Sequence, residues 1–334
     1  MAASRVLAFT DPHPFQTAIR AAEIEILPTT KGDFRGELTQ IDLPRLWMQR
    51  GRESLARVFR SKVISRRAPI FFLTEANQPA MRHSGMEVSP GEIIVIGSGS
   101  AHHQRTAGPS QWGALSLTPE DLAAAGNALV GRDLAGPSVN HLIRPTPEAM
   151  SRLLKLHAAA GLLAKRAPER LAHPEVARAL DQALVHAMVR CLTESIPVGK
   201  GATNRRHAAV IARFQELLEA NHDQPLYLAE ICAATGVSER TLRVCCHEHL
   251  GMGPVRYLWL RRMHLARRTL MCADAATATV TAIATDHGFW ELGRFSVEYR
   301  ALFGEQPSAT LHRPPEVRRA FQNRPFSLPA SEFA

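Results

Sequence analysis

Apolar positions along the chain follow two periods. Between residues 20 and 118 they alternate or form short runs. Alternation appears in Glu23-Ile24-Glu25-Ile26, in Leu46-Trp47-Met48 and from Leu55 to Val63; unbroken runs cover Pro69 to Thr74 and Ile93 to Ile96. Lys31-Gly32-Asp33, Ser89-Pro90-Gly91-Glu92 and Gly97-Ser98-Gly99 punctuate them as turns. A period of two with frequent turns predicts many short strands closing into a small barrel or sandwich. Beyond residue 118 the period becomes helical. Thr118-Pro119-Glu120-Asp121 opens a short helix by N-cap logic, and a second starts near Thr146-Pro147-Glu148 with Met150, Leu153, Leu154 and His157. A third, from near Pro174, puts Val176, Leu180, Leu184, Met188 and Cys191 on one stripe, which suits a dimer interface or packing on the chain's own barrel. Ile196-Pro197-Val198-Gly199-Lys200-Gly201 reads as a linker, and the chain is helical from there to about His312.

One local pattern occurs twice in that last part. Leu228-Ala229 and Ile231-Cys232 lead to Gly236-Val237-Ser238, with Ala229 or Cys232 as the small residue; Val280 and Ile283 lead through Ala284 to Gly288-Phe289. Each has apolar residues at helical spacing, a small residue for a close helix crossing, a glycine where the backbone must turn left-handed, and an apolar plug. Each continues into a second helix, ending at Leu250-Gly251 and Phe303-Gly304. Two helix-turn-helix units in register predict a reader of double-stranded DNA. Between them Gly253-Pro254 opens a long helix with Trp259, Met263, Ala266 and Leu270 on an apolar face. Arg256, Arg261, Arg262, Arg267 and Arg268 fall mostly on its other faces and are expected to be solvated. To read one side of B-DNA, such a strut must hold the two recognition helices about 34 Å apart.

The expected fold is therefore α+β. It has an N-terminal cupin-like β-barrel or sandwich with flanking helices, then an all-α domain whose two helix-turn-helix motifs are joined by a long helix. The divisions fall at 1–145 for a β-rich effector-sensing domain, 146–196 for a helical hairpin that dimerises, 197–206 for a linker, 207–312 for the DNA-binding domain and 313–334 for a tail. In the first reader Ser238 caps the recognition helix, Leu242, Cys245 and Cys246 turn inward, and Arg240, Thr241, Arg243 and Val244 face the groove. In the second, Phe295 and Tyr299 turn inward, leaving Glu291, Gly293, Arg294 and Val297 outward. Arginine pairs with guanine through two parallel hydrogen bonds, and valine or the threonine methyl meets the thymine methyl. Arg205, Arg206 and Arg300 suit phosphate contacts.

Bulk charge changes this picture little. The net charge is +9, but the excess lies mostly before residue 205; all thirteen basic residues between 205 and 313 are nevertheless arginine. No apolar run is long enough to span a bilayer, and the N-terminus has no basic segment followed by an apolar one, so the cytoplasm is the expected compartment and no membrane partner is expected. The five cysteines all lie from Cys191 onward and form no disulfide framework.

The series Gly236-Val237-Ser238 and Leu242, Gly251, Pro254, Tyr257, Arg262, Ala266 and Leu270, then Ile283-Ala284, Gly288-Phe289, Arg294-Phe295, Phe303-Gly304 and Pro307-Ser308 resembles the DNA-binding domain of AraC-type (AraC/XylS) bacterial transcriptional regulators. The resemblance covers about residues 207–312 and implies a regulator whose N-terminal barrel senses an effector or dimerises. The sequence departs from that family at Val244 and Val297, where a polar or basic residue is common, and at Cys246, where an aromatic is. Implied partners are double-stranded DNA, a small-molecule effector, a second copy of the chain and, for an activator, RNA polymerase. Trp47, Phe59, Phe72, His102 and Trp112 are the candidates to line the effector pocket. No catalytic residue, cofactor or metal is expected.

Two alternatives stay open at this point. A barrel enzyme fused to a DNA-binding tail would place chemistry around His102 or His103, which are adjacent and should face opposite sides of a strand, in a surface or pocket-lining role. A regulator without effector would use its N-terminal domain only to dimerise. Cys245-Cys246 with His247 and His249 invites a metal or redox reading, but consecutive helical residues point about 100° apart, so burial is the expected role.

Overall fold

The computed structural model describes residues 3–20, 22–63, 66–97, 101–134, 136, 139–198, 203–221 and 226–313. The chain begins with β1 (Ala3–Phe9), α1 (Pro12–Ala18), β2 (Ala22–Pro28), β3 (Gly36–Asp42), β4 (Trp47–Glu53), β5 (Arg57–Val63) and β6 (Ala68–Leu73). It continues with β7 (Met81–His83), β8 (Met86–Val88), β9 (Ile93–Val95), β10 (Ala101–Thr106), β11 (Ser110–Leu117), α2 (Pro119–Val130) and β12 (His141–Pro145). Then come α3 (Pro147–Arg166), α4 (Pro168–Leu171), α5 (Pro174–Thr193) and β13 (Ser195–Pro197). The last stretch is α6 (Thr203–Ala220), α7 (Leu228–Thr235), α8 (Glu239–Leu250), α9 (Pro254–Cys272), α10 (Val280–Asp286), α11 (Leu292–Phe303) and α12 (Pro307–Leu311).

The strands form two antiparallel sheets, ordered β1-β3-β4-β11-β6-β9-β12-β13 and β2-β5-β10-β7-β8. Alternation along the strands decides which layer each side chain enters. Ile26, Phe59 and Phe71 turn into the space between the sheets, with Leu38, Met81 and Trp112. Their neighbours Leu27 and Val58 turn outward to meet the C-terminal helices. Phe72, beside Phe71, turns outward to meet α3 and α5. The apolar runs at Pro69–Thr74 and Ile93–Ile96 are thus strands covered on both faces, which is why they do not alternate with polar residues.

Helix starts follow the capping residues. The Thr118 hydroxyl accepts from the Asp121 N–H at 3.1 Å, and Thr146 from Ala149 at 3.4 Å. The apolar stripe of α5 is used within its own domain. Leu184, Met188 and Cys191 are fully buried in the core shared with α3 and the larger sheet and Leu180 is partly buried there, while Val176 at the start of the helix is 37% exposed. Asp181, buried on the same helix, accepts from the Arg45 and Leu46 N–H groups at 3.1 Å each and ties α5 to the turn before β4.

The proposed linker needs correction at its start. Ser195–Pro197 pairs with β12, Ile196 opposite Arg144, and extends the larger sheet. Residues 199–202 and 314–334, and the side chain of Arg205, lie outside the described residues. Among the described residues no helix is long and apolar enough to cross a membrane.

The smaller sheet packs on the C-terminal helices through a polar seam. Arg261 Nε donates to Glu25 at 3.2 Å, Arg267 pairs with Asp11 and Glu305, Arg60 with Glu219, and the His264 ring nitrogen sits 3.1 Å from the Pro28 carbonyl. Burial pushes the His264 pKa down to about 4. Three of the connector arginines expected in solvent, Arg261, Arg262 and Arg267, are therefore half-buried with partners.

Candidate nucleic-acid interface

Each reader is built the same way. α7 ends at Gly236, whose φ of +68° lets the Val237 N–H fold back to the Cys232 carbonyl at 3.3 Å. α10 ends at Asp286 and is capped by His287; Gly288 (φ +75°) follows, and the Phe289 N–H returns to the Ala284 carbonyl at 2.9 Å. Both are six-to-one helix terminations, which a Cβ would strain. The residue after each glycine then plugs the helix pair. Val237 is half-buried, and Phe289 is buried beneath the Arg262 guanidinium, 5.2 Å from its ring centroid.

The second helix of each unit divides into two faces. On α8, Leu242, Cys245 and Cys246 have no solvent exposure; on α11, Phe295 and Tyr299 are buried against α9 and α12. The Tyr299 and Thr310 hydroxyls share a hydrogen bond at 2.8 Å. The opposite faces are open. Ser238, Arg240, Arg243 and Val244 are exposed on the first unit, and Glu291, Gly293, Arg294, Val297 and Arg300 on the second. Thr241 is half-buried because it serves the helix start: its N–H donates to Ser238 Oγ at 3.3 Å and the two hydroxyls lie 3.0 Å apart. Val244 is 50% and Val297 70% exposed, unusual for valine and an apolar surface suited to a thymine methyl.

α9 connects the units as a single helix of nineteen residues with Tyr257, Met263, Ala266 and Leu270 fully buried. Near its N-terminus a cleft of about 520 Å³ opens between the recognition helices, lined by Arg243, His247, Arg256, Trp259, Arg294 and Glu298. His247, Arg256, Trp259 and Glu298 were not among the residues expected here from sequence. Trp259 lies on the apolar face of α9 and also lines the cleft, where its indole N–H donates to Glu298. Trp290, 75% exposed just before α11, was also missed; an aromatic following the Gly288-Phe289 plug was the available signal.

The vicinal cysteines are core residues. Burial pushes the Cys246 thiol up to about 12 and raises that of Cys245, which disfavours the reactive thiolate.

The effector candidates do not converge as one set. Phe59 and Trp112 face the interior between the sheets, and His102 joins them, stacked on His83 with centroids 4.7 Å apart. Phe72 is a correction: it lies on the far side of the larger sheet against His157, because strand neighbours alternate and Phe71 takes the interior position. Trp47 lies at the start of β4 with the Arg67 guanidinium 4.2 Å from its ring centroid. His102 and His103 do face opposite ways, but neither is on the surface. His103 looks out of the smaller sheet toward Gln215 on α6, where burial, with Arg60 beside it, lowers its pKa to about 3.

Comparison with known proteins places the C-terminal helices in a class. A family profile described as "Helix-turn-helix domain" matches residues 231–313. A "Probable thc operon regulatory protein" of Rhodococcus erythropolis is 34% identical over 149 residues, 44% of this chain and 45% of that protein. The "XylDLEGF operon transcriptional activator 3" of Pseudomonas putida is 35% identical over 101 residues, 30% of each chain. A solved structure titled as a probable AraC family transcriptional regulator from Rhodopseudomonas palustris is 34% identical, covers 31% of this chain and 98% of that one, and has a TM-score of 0.29. Residues 231–313 of this chain are a helix-turn-helix domain. The chain spans less than half the length of these two curated relatives.

Proposed function

We propose that this chain is a sequence-specific, ligand-responsive transcription regulator that reads two successive major-groove segments of double-stranded DNA with α8 and α11. The observation that carries this reading is the repeated build of the two units. The same glycine termination, the same buried anchors and an open outward face recur on either side of one connector. The names of the relatives support the same class of activity. On this reading Arg240, Thr241, Arg243 and Val244 contact bases in one groove, and Glu291, Gly293, Arg294 and Val297 meet those of the next. Ser238 fixes the start of the first recognition helix, and Arg300 contacts phosphate. Phe59, His102 and Trp112 are the residues offered to a small-molecule effector in the sandwich interior. The further partners are a second copy of the chain and, for an activator, RNA polymerase. The compartment is the cytoplasm, and the chain is a regulator rather than an enzyme.

The test is selection of binding sites from a random-sequence DNA pool with the full chain, followed by titration of the selected site at several salt concentrations. Affinity is expected to fall steeply and linearly in log–log form, by about 0.9 per phosphate contacted. Arg300→Ala is expected to reduce that slope by about 1 while leaving base preference unchanged. Recovery of no enriched sequence, or salt-independent binding, contradicts the proposal.

A further inference from the structure

Arg294 is the one arginine on the outward face of α11 before its last turn, and its surroundings are unlike those of Arg243 on α8. Its Nε donates to Glu298 Oε1 at 2.9 Å. The other oxygen of Glu298 accepts from the Trp259 indole N–H at 2.7 Å, across from α11 to the connector helix. The Trp259 ring is covered in turn by the Arg256 guanidinium, 3.8 Å from its centroid. Arg243 is held differently, through the terminal Nη2 to Glu239 at 2.5 Å on its own helix.

The difference matters because arginine reads guanine best with two parallel N–H bonds from a planar fork. Holding Arg294 by Nε leaves the two terminal nitrogens to meet a base edge, Nη1 keeping only a long ion pair to Glu291 at 3.9 Å. A pair of exposed side chains on one helix would be a weak restraint. Glu298, however, is only 29% exposed and is tied to a second helix, so the guanidinium is set relative to the connector as well as to its own helix. Burial raises the Glu298 pKa, but the hydrogen bonds from Arg294 and Trp259 outweigh this and hold the carboxyl below its ordinary range. It therefore stays an acceptor at neutral pH.

We infer that Glu298, anchored by Trp259, is a positioning residue that orients the Arg294 fork for base reading and so sets specificity in the second half-site. This rests on the DNA-reading role of α11 proposed above. A carboxylate on a DNA-facing surface repels phosphate, so the cost of Glu298 in affinity is offset only by what it holds in place.

The experiment compares wild type, Glu298→Gln, Trp259→Phe, Arg294→Ala and the Arg294→Ala/Glu298→Gln pair. Each full chain is bound to a pool of DNA variants covering every position of the selected site, and to unrelated DNA. Glu298→Gln is expected to bind unrelated DNA up to a few-fold more tightly, because a negative charge is gone. Preference at the base pair read by Arg294 is expected to drop by about tenfold, with first half-site preferences unchanged. Trp259→Phe, which keeps the ring and loses the N–H, should weaken the same preference less. The double variant should match Arg294→Ala at that position, since the two residues act as one unit. If Glu298→Gln raises binding to all sequences equally, its role is electrostatic only and the inference fails. If it lowers all binding, the role is structural and the inference fails as well. If Arg294→Ala itself leaves every preference intact, α11 does not read bases through Arg294, and the underlying reading fails at that residue, a distinct result from the other two.

Discussion

Replacing Glu53 by alanine is expected to lower the stability of the N-terminal domain by about 3–5 kcal/mol. Glu53 at the end of β4 and Arg57 at the start of β5 are each 1% exposed. The Glu53 carboxylate accepts from Arg57 Nε at 2.5 Å with one oxygen and from the Trp112 indole N–H at 2.9 Å with the other. Arg57 Nη2 also reaches Gln104 at 3.5 Å, and its guanidinium lies 4.7 Å from the centroid of the Phe59 ring. A buried pair of this kind need not beat an apolar substitute, but removing one partner strands the other charge away from water. The alanine variant strands two groups at once, the guanidinium and the indole N–H. Urea unfolding followed by circular dichroism measures the loss. Glu53→Gln, which keeps an acceptor without the charge, should fall between wild type and alanine. An alanine variant within about 1 kcal/mol of wild type would contradict this assignment.

The second large effect is expected in DNA binding. Arg240→Ala and Arg294→Ala each remove one candidate base contact worth about 1–3 kcal/mol of discrimination. The two side chains stand on different recognition helices and share no contact among the described residues. Their effects should therefore add to about 2–6 kcal/mol. In competition against unrelated DNA the double variant should lose most of its preference for the selected site. Its nonspecific binding should weaken far less, because the other exposed arginines still meet phosphate. A double variant as selective as wild type would remove both side chains from the reading surface.

The C-terminal half was legible because its signals are local. Helical period, Ser238 as a cap, and Gly236 and Gly288 at the turns each act within a few residues, so inward and outward faces could be read off directly. What was missed there crosses between elements. The partnering of Arg261 with Glu25 and of Arg267 with Asp11 joins residues from opposite ends of the chain, and no local pattern announces it. The N-terminal half was legible as a class and not in detail. The first strand and helix, before residue 20, were not anticipated: Val6 to Phe9 is too short a run to announce a strand alone, and Phe15, set among proline and polar residues, meets Phe9 only in three dimensions. Gly51 went unremarked although a Cβ there would lie 2.2 Å from the Trp112 ring. The glycine makes room for the indole that reaches Glu53, a cross-strand requirement invisible along the chain. Phe72 was grouped with Phe59 and Trp112 by aromatic character, when the register of β6 places it on the other face.

On the function proposed, two like helices on one connector reach successive major grooves along the same side of a duplex. Hydroxyl-radical footprinting of the full chain on its selected site tests this most directly. The account predicts two protected patches on one face of the DNA, centred about ten base pairs apart, one helical turn. A single patch, or two patches on opposite faces of the duplex, would contradict it.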